Sequence, residues 1–141
     1  MDFTIHLIDT VVLCDNALLA ANKTQSDLEF KRLSLTRDYD DAMEAATLAQ
    51  AELTNAQSEL ASTLATIEAL PPGKTEDDMI KRRMQLELKI FTLSRRVEGQ
   101  GILGMLEKQY DIQRIDQELQ LNATFIALLS ERKLELINEA A

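Results

Sequence analysis

The stretch Leu70-Pro71-Pro72-Gly73-Lys74 lies at the middle of the chain and contains both of its prolines. Proline lacks a backbone N–H and its ring clashes inside a helix, so two consecutive prolines followed by glycine end a helix and begin a turn. The residues on both sides are rich in Ala, Leu, Glu and Gln, which favour helices. We therefore predict an all-α protein, a long antiparallel helical hairpin forming one domain. Its parts are a first arm at 3–70, a turn at 71–74 and a second arm at 75–139 of the 141 residues.

Apolar residues in the first arm recur alternately three and four residues apart, and the phase never slips. A sustained 3.5-residue period places these side chains on one stripe, the seam, which packs against a partner helix as in a coiled coil. Independent helices joined by loops lose phase at the joint. The unbroken period therefore argues against a helix break near residue 36. The seam positions are Thr4, Leu7, Val11, Cys14, Leu18, Ala21, Gln25, Leu28, Arg32, Leu35, Tyr39, Ala42, Ala46, Ala49, Leu53, Ala56, Leu60, Thr63, Ile67 and Leu70.

The second arm carries a seam of the same kind, with one irregularity near its glycines. The steps from Val97 to Gly101 and from Gly101 to Met105 are both four residues long. Two consecutive steps of four form a stutter, which locally unwinds a coiled coil without ending it. The remaining seam residues are Met79, Arg83, Leu86, Ile90, Leu93, Lys108, Ile112, Ile115, Leu119, Asn122, Ile126, Leu129, Lys133 and Leu136.

Gly99, Gly101 and Gly104 leave two architectures open. Each glycine costs about 1 kcal/mol relative to alanine in a helix interior, so the helix could end here. The alternative fold is then a compact up-down four-helix bundle with breaks near 36 and 99–104. In a hairpin, opposing residue numbers sum to about 145, which places the glycines beside the alanines of residues 42–49. Small residues facing small residues allow close packing, and we therefore favour the hairpin.

Both arms carry more large apolar residues than a two-helix seam buries. The excess is concentrated at the start of the first arm and the end of the second, which meet at the end of the hairpin away from the turn. Large exposed apolar patches are uncommon on monomers and mark interfaces. We therefore predict a homodimer that forms through this end, because two-fold pairing is the commonest symmetry. The predicted self-association interface comprises Phe3, Ile8, Val12, Leu19, Phe125, Leu128 and Ile137.

The chain is acidic, with 24 Asp and Glu against 15 Lys and Arg and a net charge of −9. This balance disfavours nucleic acid as a partner, because acidic side chains repel phosphates. Most of the negative charge belongs to residues 1–70. The longest basic run is Lys81-Arg82-Arg83, and Arg95-Arg96 is a basic pair further along the second arm. We expect them to pair with the acidic first arm, the alternatives being an acidic partner or anionic lipid.

No residue pattern indicates catalysis, a cofactor or a metal. Gly73-Lys74-Thr75 ends like a phosphate-binding loop, but the motif needs a glycine where this chain has Glu68. The single histidine, His6, and the single cysteine, Cys14, are too few for a helical di-iron site or a zinc site. They are also too far apart on one helix to form a catalytic pair. We predict no enzyme activity, no cofactor and no metal site.

The functional hypotheses follow from architecture rather than chemistry. The start of the chain lacks the features of a secretory signal and one cysteine cannot form an internal disulfide, so we expect a cytoplasmic protein without a membrane span. The leading hypothesis is a non-enzymatic coiled-coil interaction or structural protein that self-associates and presents a helical surface to a protein partner. One alternative is a helical bundle that binds an apolar ligand or lipid. Another is a secretion-system effector or chaperone.

Overall fold

The structure is a computed structural model that describes residues 2–140. A short 3-10 turn at Ile5–Leu7 is followed by helix α1 at Val11–Ala69, helix α2 at Lys74–Arg96 and helix α3 at Gly104–Ala140. A π-helical segment, Val97–Leu103, joins α2 to α3 without an intervening loop. Residues 2–140 contain no strand. The predicted all-α helical hairpin is confirmed.

The turn falls where the prolines predicted it. The last turn of α1 tightens, as the Leu70 N–H donates to the Ile67 carbonyl at 3.3 Å. Gly73 then adopts a φ of +157°, a conformation that residues with a β-carbon rarely reach. Its carbonyl accepts a hydrogen bond from the Asp77 N–H at 3.1 Å, which begins α2. Glu76 and Asp77 lie in the first turn of α2, where carboxylates stabilise the positive end of the helix dipole.

Helix α1 begins at Val11, not at residue 3 as predicted. Thr10 is the reason, because its Oγ1 accepts a hydrogen bond from the Leu13 N–H at 3.2 Å and so caps the helix. Residues 2–10 therefore form a separate segment, which we call the strap. Thr4 and Leu7, the first two predicted seam positions, lie in the strap and are exposed.

The seam is buried along both arms. Every first-arm seam position from Val11 to Leu70 is buried or half-buried, and α1 passes residue 36 without a break. Every predicted seam position of the second arm, from Met79 to Leu136, is also buried or half-buried. The phase of both seams is confirmed, and the four-helix alternative with breaks near 36 and 99–104 is wrong.

The chain forms two compact units, each of which pairs part of α1 with part of the second arm. Unit 1 runs to Arg37 and resumes at Gln109, whereas unit 2 is Asp38–Lys108. The core of unit 2 contains Leu53, Ala56 and Leu93, with Ile90 and Val97 packed against them. The fully or largely buried apolar residues of unit 1 are Cys14, Ala21, Ile115, Leu129 and Leu136.

Polar seam contacts fix the register of unit 1. Asn122 donates through Nδ2 to the Ala21 carbonyl at 3.0 Å and to Gln25 Oε1 at 2.9 Å. Arg32 Nε lies 2.5 Å from Asp116 Oδ1. The hydrogen bond and the charge of Asp116 raise the pKa of the Arg32 guanidinium above its usual value. These antiparallel pairs agree with the register predicted from the position of the turn.

The predicted stutter coincides with the π-helical segment of unit 2. A π-helical turn contains more residues than an α-helical turn, so it accommodates two steps of four and keeps Val97, Gly101 and Met105 on the seam. Gly101 is buried, and a β-carbon there would lie 3.3 Å from the Ala46 Cβ. A β-carbon on Gly99 or Gly104 would meet nothing within 4 Å. Of the three glycines expected to face alanines, only Gly101 does so closely.

Candidate interaction surfaces

The residues considered for chemistry lie apart from one another. Cys14 is fully buried on the seam of α1. His6 lies in the strap and lines a shallow groove with Glu131, Arg132 and Glu135. Within residues 2–140, no group of three or more His, Cys, Asp or Glu side chains is arranged to hold a metal ion. No helix in the same range has the length and apolar character needed to cross a membrane.

The strap folds back over one side of unit 1. The ring of Phe3 contacts the ring of Phe125, with centroids 4.8 Å apart. Phe3 also lines a groove of about 240 Å³ with Thr24 and Leu28 of α1 and Leu121 of α3. Because Thr24 and Leu28 lie several turns beyond the start of α1, the strap runs back alongside that helix. The strap thereby covers some of the large apolar residues that the two-helix seam does not bury.

A hydrogen bond from α3 anchors the strap. Arg132 donates through Nε to the Ile8 carbonyl at 3.0 Å, and its Nη1 lies 3.1 Å from Glu135 Oε2. Ile8, Phe125 and Leu128 are half-buried in this part of the unit. Four of the seven predicted interface residues, Phe3, Ile8, Phe125 and Leu128, therefore belong to the strap or to the region beside it.

The other side of unit 1, which we call the open face, carries exposed apolar side chains. Val12 and Leu19 lie seven residues apart on α1 and so share one stripe, on the opposite side of the seam from Thr24. Asp15 lies between them, and its Oδ1 is 2.7 Å from Lys133 Nζ of α3. This ion pair places Lys133 beside Asp15, so the neighbouring Leu134 and Ile137 of α3 lie at about the same height along the helices as Asp15. The exposed fractions of the four apolar residues range from 44% for Ile137 to 74% for Leu19.

The sequence predicts the seven interface residues as one patch, because its period extends the first helix to residue 3. The structure separates them: Val12, Leu19 and Ile137 lie on the open face, and the others lie at the strap. Leu134 was missed. Thr10, a residue type that caps helices, was the signal that could have located the start of α1.

Unit 2 presents a second surface, which we call the outer stripe. It runs along the side of α2, the π-helical segment and the start of α3 that faces away from the seam. Each of its residues is exposed, and the exposed fraction of its apolar members is between 54% and 67%. Its members are Lys81, Met84, Leu88, Phe91, Arg95, Glu98, Ile102 and Leu106.

The expected pairing of the basic clusters with the first arm is largely wrong. Among the described residues of these clusters, Arg82 alone pairs with a carboxylate of α1, where its Nε donates to Glu59 Oε1 at 3.0 Å. Arg83 lies on the seam, and its Nε is 3.8 Å from Glu87 of the same helix. In the described part of the chain, Lys81, Arg95 and Arg96 have no carboxylate within ion-pair distance. The helical phase turns Lys81 and Arg95 away from the seam. Arg96 lines a groove with Glu52 of α1 but is not within ion-pair distance of it.

The grooves beside the seam of unit 2 are open to solvent. One of about 390 Å³ is lined by Glu52, Leu88, Lys89 and Arg96, among others. Another of about 490 Å³ is lined mainly by small and apolar side chains, including Ala46, Gly101 and Ile102. Neither groove encloses a volume in which an apolar ligand would be shielded from water, as the ligand-binding alternative requires.

The chain matches no protein-family model, no curated protein and no solved structure.

Proposed function

We propose that the protein is a non-enzymatic coiled-coil structural protein that pairs with a second copy of itself and presents a helical surface to a protein partner. The observation that supports self-association is the open face of unit 1. Val12, Leu19, Leu134 and Ile137 are exposed together there, and the Asp15–Lys133 pair among them is already neutralised. A surface of this kind is typical of an interface.

A two-fold axis suits this surface. In a symmetric dimer the same patch is used twice, so each copy contributes the four apolar side chains and eight are buried together. Full burial of a side chain of this size contributes about 1.5–3 kcal/mol. Leu19, the most exposed of the four, gains the most from a partner.

We expect the wild-type protein to be a dimer at high concentration and to dissociate on dilution. A binding free energy of about −8 kcal/mol corresponds to a micromolar dissociation constant. Sedimentation equilibrium at about 0.1 to 100 μM protein covers concentrations on both sides of that constant. The mass should approach twice 15.9 kDa at the upper end. Leu19→Glu should weaken the dimer by at least about tenfold, because it places a carboxylate in an apolar interface.

Leu13→Glu is the matched control. Leu13 is also an exposed leucine of α1, but its helical phase places it away from Val12 and Leu19. Circular dichroism checks that both variants keep their helix content. A wild-type monomer at every concentration would refute self-association, and equal weakening by the two variants would refute the open face as its site.

A further inference from the structure

The outer stripe of unit 2 has the spacing of a second coiled-coil seam. From Lys81 to Glu98 its residues recur alternately three and four positions apart. The same spacing continues back from Lys81 to Asp77 and Lys74, which are also exposed. A 3.5-residue period is the pattern that packs against the side chains of another helix. One exposed stripe therefore extends from the first residue of α2 to the first turn of the π-helical segment.

The two ends of this exposed stripe carry the same order of charges. Lys74 and Asp77 lie at one end, and Arg95 and Glu98 lie at the other, so each end has a cation followed by a carboxylate. In the part of the chain that the structure describes, none of these four side chains has an opposite charge within ion-pair distance. The middle of the stripe is apolar, and the exposed fractions there are 59–67% for Met84, Leu88 and Phe91.

From this order of charges we infer that α2 pairs with α2 of a second copy of the chain, antiparallel and about a two-fold axis. Opposing residue numbers in two antiparallel helices have a constant sum, and a sum of about 172 sets stripe position against stripe position. Lys74 then faces Glu98 of the second copy, and Asp77 faces Arg95 of the second copy. The axis repeats both ion pairs, so all eight charges are matched. The inference goes beyond the open-face dimer and does not rest on it.

The same register brings apolar groups together near the axis. Met84 faces Leu88 of the second copy, and Lys81 faces Phe91 of the second copy, over whose ring the lysine stem can pack. Arg95 lies over the Phe91 ring of its own helix, 5.6 Å from the centroid, which holds the guanidinium on the stripe where the second copy's α2 lies. Ile102 and Leu106 lie beyond the end of the paired helix.

One contact in this register is unfavourable. Glu87 lies beside the stripe and close to the axis, so the Glu87 carboxylates of the two copies approach each other. Arg83, whose Nε is 3.8 Å from Glu87 in the same helix, offsets part of this repulsion. Neutralising Glu87 should therefore tighten the pairing, which gives the inference a variant that gains affinity.

A partner of a single charge sign fits this surface less well than a second copy. The charges on the outer stripe and beside it cancel, since they belong to Lys81, Arg95, Glu87 and Glu98. Neither an acidic nor a basic partner gains a net attraction from them. A membrane surface needs a broad apolar face, whereas the stripe is narrow and is bordered by the polar side chains of Gln85 and Thr92.

The pairing through the outer stripe is weaker than that through the open face. It buries three large apolar side chains of each copy, and ion pairs that remain in contact with water contribute little. We place its dissociation constant at about 0.1–1 mM, in the range of transient complexes. As the concentration rises, the open-face dimer therefore forms first, and the outer stripe then joins dimers into larger assemblies.

Cysteine cross-linking tests the geometry, because it accumulates a weak complex. Asp77→Cys and Arg95→Cys chains, both with Cys14→Ala, are mixed in equal amounts and oxidised, and mass spectrometry separates mixed from homotypic disulfides. We expect the mixed disulfide to exceed its statistical proportion at least about tenfold, because like positions lie about 27 Å apart along the axis. Arg96→Cys in place of Arg95→Cys is the matched control. Arg96 is also exposed but lies off the stripe, so its products should be statistical.

The order of charges is tested with Lys74→Glu and Glu98→Lys in a Leu19→Glu background, which removes the open-face dimer. Each change alone sets like charges against each other at both ends of the pair and should weaken it at least about fivefold. An equal mixture of the two chains restores both ion pairs and should associate as tightly as the Leu19→Glu parent. Glu87→Gln should instead tighten the pairing by about twofold or more. Sedimentation equilibrium at up to about 1 mM protein measures all four.

The outcomes separate this inference from the open-face dimer. Mixed disulfides in statistical proportion, an excess of homotypic disulfides, or a mixture as weak as either charge variant would overturn the pairing of α2. A Leu19→Glu protein that stays monomeric and forms no mixed disulfide would leave the stripe to another protein or to a membrane, and would also overturn it. A wild-type protein that is monomeric up to about 100 μM but forms the mixed disulfide refutes the open-face dimer alone.

Discussion

Replacing Leu53 by aspartate should lower the free energy of unfolding by about 3–5 kcal/mol, the largest effect we expect of a single substitution. Leu53 is 8% exposed and belongs to the core of unit 2 with Ala56 and Leu93. The change removes its packing and places a carboxylate in an apolar core. Urea unfolding followed by circular dichroism measures the loss.

The same substitution at Leu48 is the control, since Leu48 lies on the same helix but is 59% exposed. Exposed positions away from packed features change stability by about 0.5 kcal/mol or less. Leu48→Asp should therefore leave the urea midpoint close to that of the wild type. Equal destabilisation at the two positions would show that the seam does not pass through Leu53.

Gly101→Val should destabilise the protein by about 1–3 kcal/mol through overpacking. A β-carbon at this position already lies 3.3 Å from Ala46 Cβ and 3.9 Å from its Cα, so the larger side chain must push the two helices apart. Both the part of α1 around Ala46 and the π-helical segment would have to move to make room for it. Thermal and urea unfolding both report the change.

Gly99→Val is the matched control, because a β-carbon there meets nothing within 4 Å. Valine has a somewhat better helix propensity than glycine, so this variant should be as stable as the wild type or slightly more so. Destabilisation of both variants to the same degree would mean that backbone conformation, rather than contact with Ala46, explains the effect.

The seam and the turn could be predicted because they are local or periodic features of the sequence. Two prolines exclude a helix at the turn whatever surrounds them. The 3.5-residue period places Leu53 and Ile115 on buried stripes without knowledge of the partner, and the stutter marks the place where the helix adopts π geometry. A single phase of the 3.5-residue period therefore predicts the buried positions over most of both arms.

The strap could not be predicted because it has no period. Its position depends on tertiary contacts, namely the Phe3 ring on Phe125 and the Ile8 carbonyl with Arg132. The basic clusters were misjudged for a different reason. Net charge suggested that the arms attract each other, but phase decides whether a side chain reaches the other arm. The phase of the seam places Lys81 and Arg95 on the outer side of α2.

The most direct test of the open face as the dimer interface compares nitroxide labels at Asn22 and Thr24. Both are exposed residues at nearly the same level of α1, but Asn22 lies on the side of the open face and Thr24 lines the groove of Phe3. Each is labelled alone through a cysteine, in a variant with the buried Cys14 replaced by alanine. Electron–electron dipolar coupling then measures the distance between the two copies. We predict that the Asn22 labels are closer together than the Thr24 labels by about 10–20 Å, one to two helix diameters. Closer Thr24 labels, or no coupling between copies at either position, would contradict this account.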